Sequence, residues 1–162
     1  MTRTPGPDRR AFLLATSALL AAPAWAADDP FAASPLRSLS EAQWRARLSE
    51  AAFHVLREEG TEFPGSSPLN NQHGEGVFVC AGCELPLFRS EWKFESGTGW
   101  PSFYTAIDGA VGSKLDLELP EMRTEYHCAR CLGHQGHIFE DGPKPTGLRY
   151  CNNGVALKFV AA

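Results

Sequence analysis

The chain has 162 residues, a formal net charge of −4, 43% hydrophobic residues and 21% charged residues. That length favours one domain, and the composition is that of a folded chain rather than a disordered one. The acidic balance argues against a nucleic-acid partner, whose footprint is a basic surface, and no run reaches the ~20 apolar residues of a membrane-spanning helix.

The chain opens on a three-part leader. Arg3, Arg9 and Arg10 give a positive start, Ala11 to Ala22 is small and apolar apart from Thr16 and Ser17, and Ala24-Trp25-Ala26 is an A-x-A cleavage pattern. This is the layout of a secretory signal peptide. A membrane anchor is the other reading, but the apolar run is short and alanine-rich for one. Arg9-Arg10 followed by Ala11-Phe12-Leu13 is similar to a twin-arginine signal. Arginine pairs also occur in general secretory signals, so the route stays open. Residues 1–26 are thus expected to be removed on export to the periplasm, with no stable membrane insertion after cleavage.

Residues 27–39 are rich in Ala, Pro and Ser and read as an extended, flexible lead. Residues 40–162 form the body. Ser40 and Gln43 have capping-box spacing, and Trp44 and Leu48 then share one helical face. Ser49 is a candidate cap for a second helix that carries Phe53 and Leu56 on one face, with Gly60 as its stop. Thr61 to Gly76 is dense in Pro, Gly and Asn and reads as a long loop. Val77 to Val79 predicts a strand running into Cys80. Leu115, Leu117 and Leu119 alternate along a second strand, Arg123 to His127 predicts a third, and Val155, Leu157 and Phe159 alternate at the end. No parallel βαβ rhythm appears, so antiparallel sheet is expected.

Cys80-Ala81-Gly82-Cys83 and Cys128-Ala129-Arg130-Cys131 are two C-x-x-C knuckles. Two-residue spacing lets both thiolates of a turn point at one ion, and Gly82 is expected to ease the turn. Four such thiolates suit a tetrahedral Zn²⁺. The competing reading is two disulfides, which an exported protein can form. The doubled spacing favours zinc. The residues between the knuckles are expected to form a subdomain of their own.

Cys151 stands outside both knuckles. Arg149, two residues away on a strand, shares its face and should favour the thiolate. His134 and His137 could supply a proton donor. An inert buried cysteine is the plain alternative, with the histidines as a spare ligand and a satisfied buried imidazole.

Several segments together resemble one family. They are the two knuckles, Phe94-Glu95-Ser96-Gly97-Thr98-Gly99-Trp100-Pro101-Ser102-Phe103, His134-Gln135-Gly136-His137-Ile138-Phe139-Glu140-Asp141-Gly142-Pro143, and Pro145-Thr146-Gly147-Leu148-Arg149-Tyr150-Cys151-Asn152-Asn153. Their order and spacing, from about Ser40 to Phe159, are similar to the MsrB-type peptide methionine-R-sulfoxide reductases. The resemblance implies a mainly β fold of two antiparallel sheets, a β-tent, with short N-terminal helices and a structural zinc held by Cys80, Cys83, Cys128 and Cys131. It implies that Cys151 is the nucleophile and that Trp100 walls the pocket for the substrate methyl group. It implies that His134, His137 and Asn153 serve the sulfoxide oxygen, and that Arg149 supports Cys151. The substrate would be oxidised proteins or peptides, and the reductant a thioredoxin-like protein or a small thiol. The chain departs from the family at Thr98, where many members carry a resolving cysteine, and at Gln135, where Leu is usual. The competing functions are an exported zinc-ribbon binding module without catalysis, and a reductase of free methionine sulfoxide.

Overall fold

The computed structural model describes residue 1, residues 29–117 and residues 122–162. The expected signal peptide and Leu119 lie outside these.

The described part of the lead is not extended. Pro35–Ser38 is a 3-10 turn, and Phe31, Leu36 and Leu39 pack against the core. Two short helices follow, α1 (Glu41–Arg45) and α2 (Glu50–Glu58). Ser40 and Gln43 form the full capping box on α1, and the Ser49 side chain caps α2. Each cap is worth about 1 kcal/mol to a helix too short to hold itself. Trp44, Phe53, Val55 and Leu56 are the buried face of the pair. The stop differs from the expected one. Glu59, not Gly60, takes the left-handed turn, at φ 56°. A Cβ at Gly60 would meet only the His54 ring, an exposed side chain that can swing aside.

The small sheet has β1 (Gly76–Cys80) at its centre, flanked by β2 (Pro86–Arg89) and β9 (Leu157–Ala161). The large sheet contains β3 (Lys93–Phe94), β4 (Ser102–Phe103), β5 (Val111–Asp116), β6 (Arg123–Cys128), β7 (His134–Phe139) and β8 (Arg149–Asn152). Their order across it is β3-β4-β8-β7-β6-β5, and every pairing in both sheets is antiparallel. The segment between the knuckles is not a subdomain. It gives β2 to the small sheet and four strands to the large one.

Aromatic side chains join the two layers. Phe78 and Phe88 come from the small sheet and meet Phe103, Tyr126 and Tyr150 from the large one. Phe88 stacks on Phe103 with ring centroids 4.2 Å apart, and Phe78 meets Phe103 edge-on at 4.9 Å. Leu115 on β5 and Leu117 just beyond it are exposed rather than core.

Side chains alternate across a strand, so the other face of the large sheet is free for chemistry. One row of directly opposed residues crosses all six strands there: Phe94, Ser102, Cys151, His137, Glu125 and Lys114.

Candidate active site

Cys151 sits on β8 between Ser102 and His137 of that row. A cavity of about 130 Å³ opens above it, lined among others by Trp100, Arg123, His137, Phe139 and Asn153. Gly136 makes the strands meet closely here, because a Cβ on it would collide with the Cys151 carbonyl oxygen.

His134 does not line that cavity. It lines the adjoining one with His137, Glu125 and Asp116. Residues three apart on a strand should face opposite ways. A bulge at Gln135 shifts the β6–β7 register between Tyr126 and His127 and turns His134 back to the side of His137, with ring centroids 5.5 Å apart. His134 is buried. Its Nδ1 bonds Glu125 Oε1 at 2.8 Å, while Nε2 is buried without a partner. Glu125 is buried too and also bonds His127 Nδ1, at 3.1 Å. Burial raises its carboxyl, but hydrogen bonds from His127 and His134 outweigh that and hold it at about 2.

His137 Nε2 bonds Asp116 Oδ2 at 2.8 Å, and Arg123 bonds the same oxygen at 2.6 Å. Burial pushes the His137 imidazole below its ordinary value, against the pull of Asp116. The neutral ring therefore donates from Nε2 to the carboxylate and keeps Nδ1 as an acceptor.

Arg149 shares the face of Cys151 as the strand spacing required. It is held by Asp141 through two bonds of 2.7 and 2.8 Å, and it stacks on Phe139. The net effect on the thiol differs from the sequence expectation. Burial raises the Cys151 thiol above its ordinary value, and the lowering by Arg149 and by a hydrogen bond from Thr98 does not offset it.

Trp100 donates from Nε1 to the Glu62 carbonyl at 3.2 Å. Gly99 beside it has φ +92° and lies where a Cβ would press on Pro64. Glu62 went unnoticed in the sequence, yet it braces the whole rim. Its backbone N–H donates to Asn153 Oδ1 at 3.0 Å, and its carboxylate accepts from the N–H groups of Gly154 and Val155. Asn153 also donates from Nδ2 to the Gln135 carbonyl at 3.0 Å. Asp116, Arg123 and Glu125 were likewise missed as site residues, for lack of any local motif.

The four knuckle cysteines meet at the core, with Cys80, Cys128 and Cys131 buried in it. Their ligand atoms all lie within 4.8 Å of one another, the only such group among the described residues. No cysteine is in a disulfide. Cys80 and Cys131 have Sγ atoms 3.6 Å apart, and Cys83 and Cys128 3.4 Å. Disulfide sulfurs stand about 2.05 Å apart. Thiolates about 2.3 Å from a tetrahedral zinc stand roughly 3.8 Å from one another. The donor set therefore fits a metal ion. Each knuckle closes on a left-handed residue just after its second cysteine, Glu84 and Leu132. Gly82 is not among the residues with positive φ, so the turn does not rely on it as expected. Arg37, Arg57 and Arg130 donate to the Ala129, Cys131 and Cys83 carbonyls, placing positive charge around the thiolates.

Gln135 links the two regions. It is fully buried, its Nε2 lies 3.5 Å from Cys80 Sγ, and its Oε1 lies 3.5 Å from Asn152 Nδ2.

Residues 48–161 match the model of the SelR domain. The chain is 47% identical over 127 residues to the peptide methionine sulfoxide reductase MsrB of Agrobacterium fabrum, covering 78% of this chain and 94% of that one. It is 52% identical over 120 residues to the MsrB of Bradyrhizobium diazoefficiens, covering 74% and 86%. It is 48% identical over 125 residues to the chloroplastic peptide methionine sulfoxide reductase B1 of Arabidopsis thaliana, covering 76% and 62%.

Proposed function

We propose, from the premise that this chain belongs to the SelR-domain family of MsrB peptide methionine sulfoxide reductases, that it reduces the R epimer of methionine sulfoxide in oxidised proteins through Cys151. The chain is an oxidoreductase acting on methionine sulfoxide, and a non-catalytic zinc-ribbon module is not favoured. The observation that carries the assignment to Cys151 is its place in the row, opposite His137 and under Trp100 at the cavity floor.

The chemistry follows from these groups. The Cys151 thiolate attacks the sulfoxide sulfur, and its electron pair moves into the new bond. The S–O oxygen takes a proton and ends on Cys151 as a sulfenic acid, while methionine leaves. Cys151 is oxidised by two electrons and the substrate sulfur is reduced by two. His137, fixed by Asp116, is the proton carrier at the oxygen, with His134 behind it. Asn153 has one amide N–H left to offer that oxygen. The indole of Trp100 forms the apolar wall for the methyl group. Two external thiols then return Cys151 to the thiol and release water and a disulfide.

The tetrathiolate cluster holds a structural zinc in this reading. When bound, the ion cross-links both knuckles and its binding free energy adds to folding. The leader argues for export to the periplasm by the twin-arginine route, which Arg9-Arg10→Lys-Lys should block.

The test uses a peptide with each sulfoxide epimer. The wild-type protein should reduce the R epimer and leave the S epimer. Cys151→Ser should lose all turnover while keeping its zinc content and its unfolding midpoint. Turnover by Cys151→Ser would refute the assignment.

A further inference from the structure

The cavity above Cys151, at about 130 Å³, is well below the roughly 300 Å³ at which pockets for whole small ligands begin. It takes one side chain. A polypeptide substrate must keep its backbone, and the residues on either side of its sulfoxide, outside the mouth. Two segments at that mouth carry exposed apolar side chains. The first is the loop after α2. Thr61 lines the cavity with Trp100, and Phe63 follows with its side chain 85% exposed. The backbone around it is pinned. Glu62 carries the Trp100 indole and bonds Asn153, Gly154 and Val155. The Phe63 carbonyl accepts from Ser66 Oγ at 2.7 Å, and the Gly65 N–H donates to the Gly99 carbonyl at 2.7 Å. The second segment is the end of the β5–β6 pair. Arg123 lines the cavity, and Asp116 opposite it holds His137. Leu117 and Met122 stand one residue beyond that pair and are 66% and 75% exposed.

We propose that Phe63, with Leu117 and Met122, forms a docking rim for apolar residues that flank the methionine sulfoxide in a polypeptide substrate. The protein then prefers sulfoxides with apolar sequence neighbours. Exposed apolar residues scattered singly need no explanation. Among the described residues beyond Met1, six large apolar side chains are exposed, and three of them adjoin this one opening. The occupant follows from continuity with the cavity, because a chain whose sulfoxide reaches Cys151 has to cross the rim. The charged groups at the mouth are already engaged. Arg123 bonds Asp116, and the Glu62 carboxylate accepts from two backbone N–H groups. What the mouth offers a passing chain is therefore apolar surface. A pinned aromatic loses little freedom when it is covered, which makes Phe63 the stronger anchor. The inference rests on the reading of this cavity as the sulfoxide site.

The test compares three R-sulfoxide substrates on zinc-loaded protein: N-acetyl-methionine sulfoxide amide, a peptide with glycine on both sides of the sulfoxide, and one with leucine on both sides. For the wild-type protein, kcat/KM should be about tenfold higher for the leucine peptide than for the glycine peptide, through KM, as partial burial of one large apolar side chain requires. Phe63→Ser should remove most of that advantage and leave the other two substrates unchanged. Leu117→Ser with Met122→Ser should lower the leucine peptide alone by about threefold. Equal kcat/KM for the two peptides in the wild-type protein overturns the rim. So does an equal loss on all three substrates in Phe63→Ser, which would make Phe63 a support of the Trp100 wall. A wild-type dimer that Phe63→Ser separates, by sedimentation equilibrium, also overturns it, since the occupant is then a second copy of the chain. Fluorescence anisotropy of the two labelled peptides on Cys151→Ser reads the rim without turnover. A leucine preference there that Phe63→Ser abolishes supports the rim even if Cys151→Ser still reduces peptide, a result that refutes the nucleophile reading alone.

Discussion

His137 and Cys151 stand directly opposite each other on β7 and β8. Opposed residues on antiparallel strands hold their Cβ atoms about 4.5–5.5 Å apart. The proposed proton carrier and the proposed nucleophile are thus fixed by sheet register, with no loop between them. Backbone hydrogen bonds, rather than side-chain fit, set the reacting geometry.

This pairing sets the pH dependence. The Cys151 thiol is raised above its ordinary value of 9.0, with burial as the main cause, and the His137 imidazole is lowered below 6.5 for the same reason. Between those values the thiolate fraction grows with pH while the protonated imidazole fraction shrinks at the same rate. Their product is flat. The profile of kcat/KM should therefore show a plateau from about pH 7 to about pH 8.5 and fall on both sides. His137→Asn should lower kcat by about 10²- to 10⁴-fold. It should also abolish the plateau, leaving a rate that climbs with pH across the range. A plateau kept in His137→Asn would remove His137 from the proton step.

Glu125 makes a separate, stability-linked prediction. Its carboxyl falls from the ordinary 4.5 to about 2 in the folded protein. A depressed carboxyl adds stability that is present above the unfolded value and is lost as pH falls toward the folded one. The shift corresponds to about 3 kcal/mol at neutral pH. Glu125→Gln should cost about that much at pH 7 and very little near pH 2, measured by urea unfolding. It should also release His134 from its fixed tautomer and lower kcat.

Much of this was legible in the sequence because it was local. Capping signals at Ser40 and Ser49, the knuckles and the segment around Cys151 are each written within a few residues. What could not be read depends on register. The bulge at Gln135 reverses the facing of His134, and no periodicity announces a one-residue insertion. Asp116, Glu125 and Glu62 reach the site from other strands and a loop, and a lone carboxylate carries no motif. The raised Cys151 thiol was missed for a related reason: the nearby Arg149 is visible in the sequence, but the burial that outweighs it is not.

Gln135→Leu installs the residue usual in the family. It removes an amide N–H from Cys80 Sγ and an acceptor from Asn152. Both contacts are long, so the stability change should stay within about 1 kcal/mol. The thiolate loses a donor, so zinc release to a chelating dye should speed up several-fold. Breaking the cluster outright with Cys83→Ala should lower the unfolding midpoint far more, because metal-binding free energy is folding free energy. Equal release rates in wild type and Gln135→Leu would show that the amide does not tune the metal site.

The resolving step follows from which cysteines remain. Four of the five sit together in one cluster, and Thr98 stands where many family members carry a resolving cysteine. Once Cys151 is a sulfenic acid, no free thiol of the same chain is placed to attack it. A single turnover without reductant should therefore leave Cys151 as –SOH, trapped by a dimedone-type reagent, with no intramolecular disulfide by mass spectrometry. Steady-state rates should depend on the concentration of the added thiol, whether a thioredoxin-like protein or dithiothreitol. Thr98→Cys installs a thiol at that position. Substrate should then drive formation of a disulfide between positions 98 and 151, with water as the other product, and the sulfenic acid should no longer be trappable. A wild-type protein that joins Cys151 to one of the four cluster cysteines would sink the argument, since the cluster would then be spending a ligand as a resolving thiol and releasing its metal on each turnover.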